Sequence, residues 1–64
     1  MRIQGIPYQI NWKAFKPGAS FFIPCLDTKA AEEEINFVVN RLQMGVGIKV
    51  VIEDGVQGVR VWRV

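Results

Sequence analysis

The 64-residue chain has no histidine and only one cysteine, Cys25. A single cysteine cannot form a disulfide within the chain, and the usual ligand set of a structural zinc site is missing. The same gaps remove the nucleophile and base pairs on which most hydrolytic and transfer chemistry depends. Cys25 follows Pro24 in an apolar stretch, which is typical of a buried, unreactive thiol. We therefore expect no enzymatic activity, no metal and no other cofactor.

Long hydrophobic runs are also missing. No segment approaches the length of a membrane-spanning helix, and residues 1–7 lack the apolar region of a signal peptide. A lone cysteine fits a reducing compartment, so we expect a cytoplasmic protein without membrane contact. Very small domains without a cofactor site are common among phage and mobile-element proteins, which favours a DNA-linked or host-directed role.

Apolar residues, by contrast, are abundant: half of the chain is hydrophobic and 11% is aromatic. This composition predicts one folded domain over residues 1–64, of a size at which a single core is barely sufficient. Part of its surface is then expected to be buried by a partner or by a second copy. Acidic residues are concentrated in the middle of the chain, because residues 1–26 contain none and residues 27–43 contain four.

The clearest pattern lies at residues 47–64, where two β-branched runs flank Asp54-Gly55 and predict a β-hairpin. A two- or four-residue loop turns Arg60 and Trp62 to the same face as Lys49, whereas a three-residue loop inverts them. We prefer the former, because an unpaired guanidinium is costly in a core. The four-residue loop, Asp54 to Gln57, also avoids placing Lys49 directly opposite Arg60.

A second hairpin is predicted in the first half of the chain. Residues 8–15 alternate with the period of a half-buried strand, Lys16-Pro17-Gly18-Ala19 is typical of a turn, and residues 20–26 form the next strand. Pro24 cannot donate a ladder hydrogen bond, so this strand is expected to lie at a sheet edge or to end near Pro24. Phe15 and Phe22 then share the less apolar face of this hairpin.

Residues 28–43 carry the helical pattern, with Asp27 or Thr28 as N-cap and Gly45 as left-handed C-cap. Its apolar stripe contains Ala31, Ile35, Val38, Val39 and Leu42. The fold class predicted is therefore α+β with the order ββαββ: a four-stranded, mainly antiparallel sheet with one helix packed on one face. Whether residues 1–7 add a strand, and how the strands are ordered, stays open.

The uncovered face of that sheet is the predicted binding site. Aromatic rings among cations are typical of surfaces on which bases stack while phosphates meet Lys and Arg. The sequence predicts nucleic-acid binding, single strands favoured, although duplex DNA is also possible and no RNA-recognition motif is present. The predicted site residues are Lys13, Phe15, Lys16, Phe22, Lys49, Arg60, Trp62 and Arg63.

The alternative is protein contact through the same face. A homodimer could bury it sheet against sheet, with the stems of Lys and Arg lying along the interface. Equally, the face could capture another protein, as a phage-type host-directed inhibitor does, with Arg60 and Trp62 as anchors.

Overall fold

A computed structural model describes residues 1–3 and 5–64 of the chain. These residues form five strands, one α-helix and one short 3-10 helix. In chain order they are β1 (Arg2–Ile3), β2 (Ile6–Pro7), the 3-10 helix (Trp12–Ala14), β3 (Ser20–Pro24), α1 (Thr28–Arg41), β4 (Val46–Glu53) and β5 (Val56–Arg63).

The strands form two antiparallel sheets rather than one. β1 pairs with β2, and the larger sheet has the order β3-β5-β4, with β5 in the centre. The predicted α+β class is confirmed, but the single four-stranded sheet is wrong. Among the described residues, no helix is long and apolar enough to span a membrane.

The predicted strand over residues 8–15 is the main error. Instead, residues 12–14 form a 3-10 helix, in which the Asn11 side chain accepts a hydrogen bond from the Ala14 backbone at 3.3 Å. Such local bonds offer the backbone an alternative to a strand ladder. One 3-10 turn brings residues three apart to the same side, so Trp12 and Phe15 contact each other with ring centroids 5.8 Å apart.

The turn and the strand after this helix are confirmed. The Ala19 backbone donates to the Lys16 carbonyl at 2.9 Å, and Gly18 supplies the positive φ, +91°. β3 lies at an edge of the sheet and ends at Pro24, so both expectations drawn from this proline are confirmed, although the strand does not reach residue 26.

The helix begins as predicted and ends differently. Asp27 is the N-cap, its carboxylate accepting from the Ala30 backbone at 3.0 Å. At the other end the left-handed residue is Gln43, with φ 55°, so the prediction of Gly45 is wrong. The Met44 backbone donates to the carbonyl of Val39 at 2.9 Å, which closes the helix end two residues earlier than the sequence suggests.

The core between α1 and the larger sheet is entirely apolar. Of the predicted helical stripe, Val38 is only half-buried and Leu42 is exposed, because both lie at the margin of the helix–sheet contact. Residues of β1, the 3-10 segment, β3, α1 and β5 fill the space: Ile3, Phe15, Ile23, Ala31, Ile35, Val39, Val59 and Val61.

The β4–β5 hairpin closes with the two-residue loop Asp54-Gly55. Both loop residues have positive φ, 51° and 78°, as a type I′ turn requires. The preferred four-residue loop is therefore wrong, and Lys49 stands directly opposite Arg60. Arg60 still lies on the face predicted for it, the one that points away from α1, because loops of two and four residues place the same β5 residues on each face.

Candidate binding face of the larger sheet

The face of the larger sheet that points away from α1 is called the open face here. Strand alternation and the observed register assign eleven residues to it. They are Ser20, Phe22, Pro24, Gly47, Lys49, Val51, Glu53, Val56, Gly58, Arg60 and Trp62.

Arg60, in the central strand, is the best-fixed charged side chain of the open face. Its Nε and Nη2 donate to the two carboxylate oxygens of Glu53 at 2.5 and 2.7 Å, and its Nη1 donates to the Ser20 hydroxyl at 2.8 Å. All three guanidinium nitrogens therefore have partners on the face, from β3 and β4. A bidentate pair of this kind fixes the orientation of both side chains.

The pair also perturbs both ionisation equilibria. Hydrogen bonding to Arg60 holds the pKa of Glu53 below its ordinary value of 4.5, and hydrogen bonding to Glu53 raises the pKa of Arg60. Both groups are thus charged at neutral pH, and their charges cancel. The side chains keep about a third of their surface in solvent, 27% for Arg60 and 35% for Glu53. Their main effect is orientation rather than stability.

Gly58 makes this arrangement possible. It lies between Arg60 and Val56 on β5, so no side chain separates the guanidinium from Glu53 on the neighbouring strand. The ring of Phe22 occupies the space above Gly58: a Cβ added there would lie 2.7 Å from the ring and 2.3 Å from the Ile23 carbonyl oxygen. The guanidinium carbon of Arg60 lies 5.8 Å from the centre of the same ring.

The same pair explains why two cations can face each other across the β4–β5 ladder. Lys49 and Arg60 are directly opposed, which ordinarily destabilises a pair of strands. Here Arg60 turns toward Glu53 and is neutralised, so the repulsion is relieved. Among the residues of the open face, Lys49 is then the one charge without an ion-pair partner.

Trp62 lies toward the other end of β5 and keeps 36% of its surface exposed. Its register partners are Ser20 on β3 and Gly47 on β4, and Lys49 is its diagonal neighbour. The turn that carries Lys16 is hydrogen-bonded to the end of β5, since the Gly18 backbone donates to the Arg63 carbonyl at 3.1 Å. The turn with Lys16 thus lies at the same end of the larger sheet as Trp62.

The open face continues into an apolar groove at the hairpin end of the sheet. This shallow groove has a volume of about 620 Å³ and includes Pro24 and Val56 of the open face. Leu26 and Ile6 extend its apolar lining, with 85% and 55% of their surfaces exposed.

Three predicted site residues lie elsewhere. Phe15 is 7% exposed and belongs to the core, so its assignment to the open face is wrong, because the segment that carries it is not a strand of this sheet. Lys13 is exposed in the 3-10 helix. Arg63 shares the alternation of Val61, on the helix side, and its Nη1 donates to the Gly45 carbonyl at 3.3 Å.

The structure brings together the other predicted residues of β3, β4 and β5: Phe22, Lys49, Arg60 and Trp62. Sequence reasoning missed Glu53 as the partner of Arg60. The available signal was Gly58, because a glycine between two strand residues on one face leaves room for a long side chain to cross to the next strand.

On the open face, the Ser20 hydroxyl and the Glu53 carboxylate both accept hydrogen bonds from Arg60. Burial, with the nearby Asp27 charge, raises the pKa of the Cys25 thiol above its ordinary value of 9.0, which makes it a poorer nucleophile. Residues 1–3 and 5–64 contain no cluster of three or more potential metal ligands. Comparison of the chain with protein-family models, with curated proteins and with solved structures gives no match in any of the three.

Proposed function

We propose that the chain is a small non-enzymatic docking module whose open face binds another protein. The observation that carries the proposal is the neutral, preformed arrangement of Arg60 with Glu53 and Ser20 beside the exposed indole of Trp62. Trp and Arg are enriched among the residues that dominate protein interfaces. An arginine already held in place loses little conformational entropy on binding, so more of the contact energy appears as affinity.

The chemistry of the face describes its partner. Val51, Val56 and Trp62 offer apolar surface on either side of the Arg60–Glu53 pair, and the groove beyond Val56 extends it. Lys49 adds one uncompensated positive charge. The partner we propose is a protein surface with an apolar patch that receives Trp62 and a carboxylate that meets Lys49.

The same contacts argue against single-stranded nucleic acid as the first choice. The ring of Phe22 lies over Gly58 on one side and beside Arg60 on the other, which leaves Trp62 as the exposed stacking surface. Neutralisation by Glu53 also removes Arg60 from the cations that could meet phosphates. With so few phosphate contacts, the affinity for single-stranded nucleic acid would be low at physiological salt.

Nucleic-acid binding is the second candidate function, and one observation favours it. Lys49 is a diagonal neighbour of Trp62, and the turn that carries Lys16 lies at the same end of the sheet, while the acid-rich helix occupies the opposite face. This end of the open face therefore combines a ring with uncompensated cations, as a single-strand site requires.

Photo-crosslinking tests the first candidate. A photoreactive phenylalanine analogue replaces Trp62 in cells that naturally produce the chain, and the matched control carries it at Phe37, which is 60% exposed on the helix. We expect a discrete protein adduct from position 62, resistant to nuclease, and none from position 37. Absence of a protein adduct at position 62 would overturn the proposal.

Titration of labelled single strands at two salt concentrations tests the second candidate. If strands bind, Trp62→Ala weakens the complex more than Lys13→Ala, because Lys13 lies in the 3-10 helix rather than on the open face. No binding at low salt eliminates this candidate. Binding that survives Trp62→Ala eliminates the open face as its site.

A further inference from the structure

The outer edge of β4 is a second candidate surface, which adjoins the open face. β5 separates β3 from β4, so within residues 1–3 and 5–64 each outer strand pairs with β5 on one side and with no other strand on its outer side. Hydrogen bonds from Arg63 to Ala19 and from Cys25 to Gln57 show that odd-numbered residues of β5 bond toward β3. Bonding directions alternate along a strand, so even-numbered residues of β5 bond toward β4.

The register then identifies the unpaired groups of β4. Even-numbered β5 residues stand opposite odd-numbered β4 residues, such as Lys49 opposite Arg60. Just beyond these strands, the Val64 backbone N–H donates to the Gly45 carbonyl at 3.2 Å, which again joins an even-numbered residue of the β5 side to an odd-numbered residue of the β4 side. The even-numbered residues of β4 therefore direct their N–H and C=O groups away from the sheet: Val46, Ile48, Val50 and Ile52.

The side chains of these four residues divide into two pairs. Val46 and Ile48 pack against the core, whereas Val50 and Ile52 are 47% and 70% exposed on the helix side of the sheet. A strand edge with free backbone groups and exposed β-branched residues is a template for pairing with another strand.

The opposite edge, on β3, is protected. Its outward-directed residues include Pro24, which has no N–H, and the Pro24 carbonyl accepts a hydrogen bond from the Tyr8 hydroxyl at 3.4 Å. Proline on an edge strand is a common means of preventing further pairing. β4 contains no proline, so its outer edge lacks this protection against pairing with a further strand.

We propose that two copies of this chain pair antiparallel along β4 and join their larger sheets into one six-stranded sheet. β4 is self-complementary about Val51. An antiparallel arrangement centred there places Lys49 opposite Glu53 of the second copy, twice by symmetry. It also places Val50 opposite Ile52 of the second copy, so that the exposed apolar side chains cover one another and their backbone groups exchange hydrogen bonds.

The pairing leaves the open face accessible and brings two of them side by side. Trp62 lies on the central strand and takes no part in it. Because the overlap is short, the dimer belongs to the small, reversible class of interfaces rather than to the obligate one. Lys49 and Val51 belong to both surfaces, whereas Trp62 belongs to the open face alone and Ile52 to the edge alone, so variants at Trp62 and Ile52 test the two surfaces separately.

Sedimentation equilibrium from micromolar to millimolar concentration tests the dimer. We expect a reversible rise in mass from 7.3 kDa toward twice that value. Ile52→Lys raises the dissociation constant about tenfold or more by placing a cation on the edge. The matched control Val64→Lys, 72% exposed against 70% for Ile52, leaves it unchanged. Val50→Pro removes an outward N–H only, so it dissociates the dimer while the fold persists.

A disulfide tests the register. Residue 51 bonds inward, so the two copies of Val51 would form a non-hydrogen-bonded pair with a Cα separation of about 4.5 Å, within disulfide range. Val51→Cys in a Cys25→Ala background should form a covalent dimer on oxidation. Val56→Cys, on β5, should not.

Three results would overturn the proposal: a 7.3 kDa species at every concentration, a dimer that survives Ile52→Lys but not Trp62→Ala, or equal cross-linking at positions 51 and 56. The second of these would assign self-association to the open face, whereas failure of the edge alone leaves the docking function untouched.

Discussion

The two faces of the larger sheet are stabilised by different interactions. On the helix side, every buried residue is apolar, and Ile23, Ile35, Val59 and Val61 are at most 1% exposed. On the open face, the centre is a polar cluster of Arg60, Glu53 and Ser20 that keeps contact with solvent. Burial of apolar area supplies most of the folding free energy, whereas partly exposed ion pairs supply little.

If the open face binds a partner as we propose, this difference separates the surface that stabilises the fold from the surface that binds. The helix side can tolerate few changes, because close packing makes even small volume changes costly. The open face presents an oriented arginine and a partly exposed indole, which we propose to be the contact surface for a partner. Variants on the two faces should therefore have different consequences, in the following order of size.

Ile35→Ala should have the largest effect. Ile35 is fully buried, and removing its branched side chain leaves a cavity that costs about 2–5 kcal/mol, a large share of the stability of so small a domain. Denaturant unfolding measures the loss. Phe37→Ala, at a 60% exposed position two residues along the same helix, should change stability by less than about 0.5 kcal/mol. Similar losses in both variants would contradict the assigned core.

Gly58→Ala should have the second largest effect, because it would displace the Phe22 ring on the open face. The added methyl would lie 2.3 Å from a carbonyl oxygen of β3 and 2.7 Å from the Phe22 ring, so strand and ring must both move, at a cost of about 1–3 kcal/mol. Thermal unfolding and the dispersion of the Phe22 NMR signals report the change. Gly47→Ala meets no atom within 4 Å and is the control. An unperturbed Gly58→Ala would refute the position of Phe22 over Gly58.

Asp27→Ala tests the N-cap of α1, the helix that covers the inner face of the larger sheet. Its carboxylate caps the helix through the Ala30 backbone, so the loss should be about 1 kcal/mol. Asp27→Asn retains an acceptor and should recover most of it, as seen in melting temperature. If both substitutions destabilised the domain equally, the cap would not be the cause.

The smallest effect concerns pH and the open face. Because Arg60 holds the folded pKa of Glu53 below 4.5, the pair stabilises the fold above the unfolded pKa, and this contribution is lost as the pH falls through the lower folded value. Glu53→Gln lacks the contribution at every pH. The melting temperatures of wild type and Glu53→Gln should therefore differ at neutral pH and converge in acid. A constant difference across this range would rule out the ion pair as its origin.

The sequence predicted best the segments whose signals are local. Asp54-Gly55 indicated the hairpin, Pro17-Gly18 the turn, and Asp27 the helix start, because each depends on the conformational preference of one or two residues. It failed for residues 8–15, where alternation is consistent with a strand but a cap at Asn11 and contact between Trp12 and Phe15 favour a 3-10 helix. The alternation of apolar and polar residues carries no information about those tertiary contacts.

The candidate site was predicted in part for the same reason. Alternation along β5 placed Arg60 and Trp62 on the open face, because a shift of two residues preserves facing. The four-residue loop was preferred because it avoids placing Lys49 opposite Arg60. The structure tolerates that opposition because Glu53 neutralises Arg60, and this contact depends on the space above Gly58. That space is a property of three strands together and is not visible in any one of them.

Carbene footprinting of the chain, alone and in extract of the cells that produce it, tests most directly whether the open face is the binding surface. The account predicts that Trp62 is labelled in the free chain and protected in the extract, while labelling of Phe37 on the opposite side stays constant. Equal labelling of Trp62 in both conditions, or protection confined to Phe37, would contradict it.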